Sequence, residues 1–265
     1  MLQRASAIGE GYTSVFQGPE AGLSFLRFGF IRLAAGGVAV RPADGYEKVL
    51  VPLSGTAAVR VGTERFDPVG GRPSVFAGPA SAVYVPPGAG FEVEARTKLE
   101  LAVGGARAEA ALVPSAVTPD EVVRQRRGRP GFERTVHDIV TSRHEGRVQR
   151  IVVGETFNEP GQWSSYPPHK HDRDAPPEEV AMEEIYHYRV EPAQGFGIQA
   201  RYHRGQGDDS AWVVRSGDSF AIADGFHPVA AAPGYRLYYL WFMAGDHGRT
   251  LVPWNDPDHA WALEG

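Results

Sequence analysis

Short runs of β-branched, aliphatic and aromatic residues, broken by Gly and Pro, recur from one end of this chain to the other. In the first half, Lys48-Val49-Leu50-Val51-Pro52-Leu53-Ser54-Gly55 and Ala57-Ala58-Val59-Arg60-Val61-Gly62 read as two strands joined by a Gly turn. Ala82-Val83-Tyr84-Val85-Pro86-Pro87-Gly88 then leads into Phe91-Glu92-Val93-Glu94-Ala95, again strand, Pro-Gly turn, strand. The second half keeps this rhythm. Glu184-Ile185-Tyr186-His187-Tyr188-Arg189 alternates in character, Ala211 to Arg215 leads through Ser216-Gly217-Asp218 to Ser219-Phe220-Ala221-Ile222, and Tyr235 to Met243 is a long β-prone run. Short strands at this spacing predict an all-β barrel or sandwich architecture rather than a helical or α/β one. The halves read as two versions of one barrel, residues 1–110 and 151–265.

The more polar stretch 111–150 reads as a linker with a short helix. Thr118-Pro119-Asp120-Glu121 offers a capping residue, Pro at the first helical position and Glu at the third. Val122 and Val123 continue the pattern, and Gly128 followed by Pro130 ends it. Arg124, Arg126, Arg127 and Arg129 then fall near the negative end of that helix's dipole, on a solvated face, in preference to an anion or nucleic-acid patch.

Composition narrows the class further. The chain has 265 residues, 42% apolar and 22% charged, as in a soluble globular protein. Its 32 Gly and 21 Pro suit a turn-rich fold. No apolar run approaches the roughly 18–20 residues a membrane-spanning helix needs, and the first residues lack the apolar core of a signal peptide. With no Cys, disulfides and thiolate metal sites are excluded, which fits a cytoplasmic protein. A net charge of -5 gives no reason to expect nucleic acid as a partner.

The chemistry concentrates in the second half. In a strand, side chains at i and i+2 share a face, so His169-Lys170-His171 aims two imidazoles into one cavity and leaves Lys170 on the other side. Glu184 opens a second strand and His227, in Gly225-Phe226-His227-Pro228, lies beside a third. Three imidazoles and a carboxylate suffice for one divalent metal with coordination positions left for substrate. The donor set suits Zn, Mn or Fe better than Mg or Ca, and Zn is favoured. Alternation turns Glu184 inward together with Tyr186 and Tyr188, with Glu183 as the fallback ligand. The first half has no His before His137 and no such set. Of the other histidines, His137, His144, His203, His247 and His259 read as surface or satisfied core residues.

The order His-x-His, Glu, distant His resembles the metal site of the cupin β-barrels. More specifically, Gly154-Glu155-Thr156, Trp163 to Asp172, Glu183-Glu184-Ile185-Tyr186, Gln194-Gly195-Phe196, Gly217-Asp218, Phe226 to Tyr235, Tyr238-Tyr239-Leu240, Met243-Ala244-Gly245 and Asp256-Pro257 are similar to the 5-deoxy-glucuronate isomerase family of bacterial inositol catabolism. That family is related to the 4-deoxy-5-threo-hexosulose-uronate ketol-isomerases of pectin breakdown. The resemblance implies a bicupin fold with His169, His171, Glu184 and His227 as metal ligands. It also implies an aldose-to-ketose isomerisation of 5-deoxy-D-glucuronate to 2-deoxy-5-keto-D-gluconate. Trp241 departs from the small polar residue expected after Tyr-Tyr-Leu. The alternatives are the pectin uronate ketol-isomerase itself, a metal-dependent cupin dioxygenase, and a non-catalytic sugar-sensing cupin.

Isomerisation needs a proton moved between C2 and C1, and the candidates to move it are Tyr186, Tyr188, Tyr238 and Tyr239, or a metal-bound hydroxide. The substrate carboxylate needs a cation. Arg189, Arg201 and Lys170 are nearest in sequence, although alternation turns Lys170 and Arg189 away from the ligands. Gln199 is a hydroxyl partner. The expected partner is thus a small sugar acid, neither nucleic acid nor membrane, and a homo-oligomer is compatible with the sequence.

Overall fold

The computed structural model describes residues 1–5, 9–110 and 112–263. Two large antiparallel sheets dominate it. The first has six strands in the order Ser115–Val117, Ala82–Val85, Tyr46–Ser54, Leu99–Arg107, Leu26–Leu33, Gly11–Phe16. The second has seven: Leu2–Gln3, Ser219–Ile222, Glu183–Glu191, Arg236–Ala244, Val152–Asn158, Arg134–Val140, Val123–Arg127. Each is closed on one face by a four-stranded sheet, Val38–Arg41, Phe91–Ala95, Thr56–Val61 and Glu64–Gly70 in the first half. In the second half the cover is Trp163–Ser164, Val229–Ala231, Gly197–Arg201 and Ser210–Val214.

The large sheets also pack against each other, so their central strands are buried on both faces. Successive residues therefore enter different cores. Val49 and Val51 join Ile185, Leu240 and Phe242 in the core between the halves. Leu50 enters the interior of the first barrel with Ile31, Val59, Val93 and Leu101. Tyr239, Trp241 and Met243 enter that of the second. This two-sided burial explains why Leu237 to Met243 is aliphatic and aromatic throughout instead of alternating with charged residues. Contact between the sheets is close enough that a Cβ on Gly104 would lie 2.1 Å from the Phe242 ring.

The helix expected after Thr118 does not form. Glu121 N–H donates to the Thr118 carbonyl (3.1 Å), and the Glu121 carboxylate accepts from Thr118 N–H (2.7 Å), the capping pattern the sequence displays. These bonds close a single turn. The chain then extends as Val123–Arg127, in register with Arg134–Val140, and Gly128, with a φ of 85°, turns the hairpin between them. β-Branched residues and a ready cross-strand partner outweigh the helix start. The arginines therefore lie on a strand, where Arg126 pairs with Glu133 (2.9 Å) and Arg127 faces the second barrel's cavity.

Candidate metal centre

His169–Lys170 pairs with Trp254–Asn255, a short ribbon that carries both histidines of the His-x-His motif to the mouth of the second barrel. His227 approaches from the turn preceding Val229–Ala231. The ligand nitrogens of His169, His171 and His227 lie within 4.8 Å of one another. Each ring has its Nδ1 turned toward a backbone carbonyl: His171 to Met182 (2.7 Å), His227 to Gly225 (2.8 Å), His169 to Pro167 (3.4 Å). A carbonyl can only accept, so Nδ1 carries the proton and Nε2 keeps its lone pair for a metal. The His227 Nε2 is buried without a hydrogen-bond partner, the orphan that a bound cation would satisfy. This arrangement fits a divalent ion.

The Glu184 carboxylate is placed 3.3 Å from the Nε2 atoms of both His171 and His227. Burial alone would raise its pKa, yet the adjacent His171 and His227 imidazoles draw it down to about 2, so it is a carboxylate at neutral pH. Burial, and then the neighbouring His227 and His171, lower His169 to about 3, so its imidazole is neutral. Both are the protonation states a metal requires of its ligands. Glu183 turns the opposite way and accepts from the backbone N–H groups of Ser24, Phe25 and Leu26, tying this strand to the first barrel.

His169, His171 and Glu184 line a cavity of about 780 Å³ that reaches across the large sheet, with His227 fully buried beside them. Tyr186 and Tyr239 line it with Ser165, Thr156, Trp241 and Met243. Their rings are 4.5 Å apart. The Tyr186 hydroxyl is 3.2 Å from the Ser165 hydroxyl, and Tyr239 donates to Ser164 Oγ (2.8 Å). Ser165 holds a φ of 49°, the left-handed region that a non-glycine residue occupies at a cost, which is a frequent mark of a functional site. Burial, with Glu184 nearby, raises the pKa of Tyr186 well above its usual value, and burial raises that of Tyr239 too. Both phenols are therefore protonated donors rather than resting bases.

The other expected residues are held elsewhere. Tyr188 is fully buried beneath the cavity, with its hydroxyl donating to Gln199 Oε1 (2.5 Å). The Gln199 amide is spent on the Ala200 (2.7 Å) and His227 (3.2 Å) carbonyls. Tyr238 faces the core between the barrels and donates to Glu155 (2.8 Å). Lys170 pairs with Asp172 and Glu179, Arg189 with Glu100 (2.6 Å), and Arg201 with Asp224 (2.6 Å).

The cavity's arginines are Arg127, which the sequence places on a solvated face, and Arg134, Arg143 and Arg249, which sequence reasoning passed over. Arg134 matters most. It is half-buried, donates only to the Phe132 carbonyl (3.3 Å), and has no carboxylate partner among the described residues. Burial lowers its pKa, Tyr239 opposes that, and Arg127, directly across the strand pair, adds to it. Strand alternation between Arg134, Val136 and Asp138 was the one available signal, and the helix reading of the preceding segment hid it.

Comparison with known proteins agrees with this geometry. The model of the KduI/IolB family matches residues 1–262. A 5-deoxy-glucuronate isomerase of Geobacillus kaustophilus (strain HTA426) is 39% identical over 248 residues, covering 93% of this chain and 89% of that protein. The crystal structure of an IolB-like protein from Salmonella typhimurium LT2 superposes with a TM-score of 0.93 at 32% identity, covering 99% of each chain. An oxalate decarboxylase of Bacillus subtilis, described with Mn(II) centres, superposes at a TM-score of 0.61 and 13% identity over 94% of this chain and 76% of that one. This last likeness bears on the fold, which is all-β and bicupin.

Proposed function

Because the chain belongs to the KduI/IolB family, we propose that it is a metal-dependent aldose–ketose isomerase that converts 5-deoxy-D-glucuronate to 2-deoxy-5-keto-D-gluconate. The observation that carries this reading is one cavity with a three-histidine cluster at one end and an unpaired, half-buried Arg134 elsewhere in its wall. A substrate with a carbonyl at one terminus and a carboxylate at the other needs both features. We assign residues 1–110 to a barrel without metal ligands and 151–265 to the metal-binding barrel, except that Leu2–Gln3 adds an edge strand to the second barrel's large sheet, and strands from 111–150 complete each large sheet.

His169, His171, His227 and Glu184 are the proposed ligands, with Zn favoured and Mn or Fe as alternatives. When bound, the ion supplies a Lewis acid that polarises the carbonyl and a template for two neighbouring substrate oxygens. Arg134 takes the carboxylate at the far end with charge-assisted hydrogen bonds and thereby fixes which terminus meets the ligands. Tyr186, paired with Ser165, donates a hydrogen bond to the oxygen on which charge develops and relays its proton. The Tyr239 ring packs at a tilt against that of Tyr186 and holds the ring in place. Trp241 and Met243 form the apolar wall that limits water around the reacting carbons. The arginine-lined cavity suits an anionic polyol better than the apolar substrate of a dioxygenase.

Metal analysis joined to an isomerase assay on 5-deoxy-glucuronate, with and without chelator, tests the proposal. The expected result is about one divalent ion per chain, turnover abolished by chelator and restored by the ion. A folded His169→Ala/His171→Ala double variant that has lost its metal and still turns over at the wild-type rate would sink the assignment.

A further inference from the structure

The two large sheets share a strand order, and that order places a second, differently charged cavity at the mouth of the first barrel. In the second barrel Glu184 pairs laterally with Ile222 on one side and Met243 on the other, and Met243 with Val152. In the first barrel Lys48 pairs with Val85 and Gly105, and Gly105 with Arg27. The flanking strands follow in the same sequence on both sides. Lys48 therefore occupies the topological position of Glu184, and Arg27 that of Val152. Lys48 shares a strand face with Leu50, which is packed inside the first barrel, so Lys48 too belongs to the barrel interior.

A cavity of about 190 Å³ remains there, above an aliphatic floor. It lies below the range of roughly 300–1,000 Å³ typical of sites for larger organic ligands. Its cations are Arg27, Arg41 and Lys48, against the single carboxylate of Asp44. Lys48 is already paired with Asp44 (2.5 Å). The two arginines have no carboxylate partner among the described residues. Each is instead held over an aromatic face, Arg27 over Tyr46 and Arg41 over Tyr12, both 3.9 Å from the ring centroid. Such stacking fixes the guanidinium plane and leaves its N–H edge free to donate. The Tyr12 ring is itself seated by a glycine: a Cβ on Gly29 would lie 2.7 Å from the Tyr12 hydroxyl.

We infer that the first barrel binds a small oxyanion, a carboxylate or phosphate, between Arg27 and Arg41, at the end of the barrel that corresponds to the proposed metal site of the second. Calorimetric titration of the metal-loaded protein tests it, with inorganic phosphate in one arm and succinate in the other, so that the tighter arm identifies the group. Binding in the millimolar range or tighter is expected, weakened about tenfold or more in Arg27→Gln/Arg41→Gln. Arg60→Gln/Arg126→Gln, which removes the same charge from exposed strand positions, is expected to bind within about twofold of wild type. Arg41→Gln alone, at the rim, gives the same direction of change should the double variant fold poorly. Absence of binding in both arms overturns the inference. So does affinity unchanged in the Arg27/Arg41 variants, which puts the anion in the metal-bearing cavity, or an equal loss in the Arg60/Arg126 control, which reduces the effect to net charge.

Discussion

In the second barrel the interior beneath the mouth is lined by Glu184, Tyr186, Tyr239 and Trp241, and a cavity of about 780 Å³ stays open. In the first, the corresponding interior is closed by Ile31, Leu50, Val59, Val93 and Leu101, leaving about 190 Å³ at the rim. The same strand order thus supports opposite designs, one polar and hollow, the other aliphatic and filled. Filling maximises packed apolar contact, whereas a hollow barrel gives up some of it. The filled barrel supplies stability that the hollow one lacks, through the core the two share. Phe28, Phe30, Val49 and Val51 from one side meet Ile185, Leu240 and Phe242 from the other. A carboxylate of the second barrel, Glu183, reaches back to three N–H groups of the first.

Exchanging the equivalent residues is the strongest way to break this comparison. Glu184→Lys places a cation among the three histidines. Metal content should fall to near zero, and turnover by about a hundredfold or more, since even loss of a metal's outer partner costs about 10–100-fold. Lys48→Glu makes the reciprocal change. It replaces a largely buried pair with Asp44 by two neighbouring carboxylates and costs about 3–5 kcal/mol of stability, while turnover and metal content per folded molecule stay within about twofold of wild type. Metal analysis and steady-state kinetics on both variants decide the matter. If Lys48→Glu abolishes turnover, the two barrels do not divide the work as described.

A second variant separates packing from chemistry. Arg72 of the first barrel donates to Glu155 of the second (2.5 Å), both buried, and Glu155 also accepts from Tyr238 (2.8 Å). Burial alone would raise Glu155, but the Arg72 charge holds its carboxyl below the usual range. Arg72→Met leaves that carboxylate without its cation and is expected to cost about 3–5 kcal/mol. Arg72→Met/Glu155→Gln should recover much of this, because no lone charge then remains buried. Urea unfolding reads both. Metal content per folded molecule should not change, since Glu155 points away from the cavity that its neighbour Thr156 lines.

What the sequence made legible follows from how local each signal is. His169 and His171 share a face by strand geometry alone, and the Glu183-Glu184 choice is a matter of alternation. The paired roles of Lys170, Arg189 and Arg201 were not legible. Arg189 is tied to Glu100 across the barrel interface and Arg201 to Asp224, pairs between separate segments that leave no trace in local pattern, while Lys170 is held by Asp172 and Glu179 of the irregular loop that follows it. Tyr238 and Tyr239 are neighbours in sequence, so only one of them can face the cavity. Thr118 to Glu121 misled because one hydrogen-bonded turn opens both a helix and a β-turn. That mistake concealed Arg134 on the strand just beyond it.

The smallest expected effect lies at the seam itself. His187 sits on the barrel-facing side of the strand that carries Glu184. Its ring is fully buried against Phe30 (4.6 Å between centroids), it shares a hydrogen bond with the Ser219 hydroxyl (3.0 Å), and its Nε2 has no partner. Burial, and then the charges of Arg189 and Arg32, press its pKa well below the ordinary value. Protonation therefore favours the unfolded chain, where the pKa is about 6.5. The stabilisation from keeping His187 neutral is fully present above that pH and is lost as pH falls below it, at a slope of up to about 1.4 kcal/mol per pH unit. His187→Phe keeps a ring against Phe30 and removes the titration. In metal-free protein, so that pH-dependent metal release does not enter and the ligand histidines contribute equally to both proteins, the wild type should lose more of its urea midpoint between pH 7.5 and 5.5 than the variant does. Equal losses would mean that the seam admits water enough to solvate the imidazolium, and that the two barrels meet less tightly than the Gly104–Phe242 contact requires.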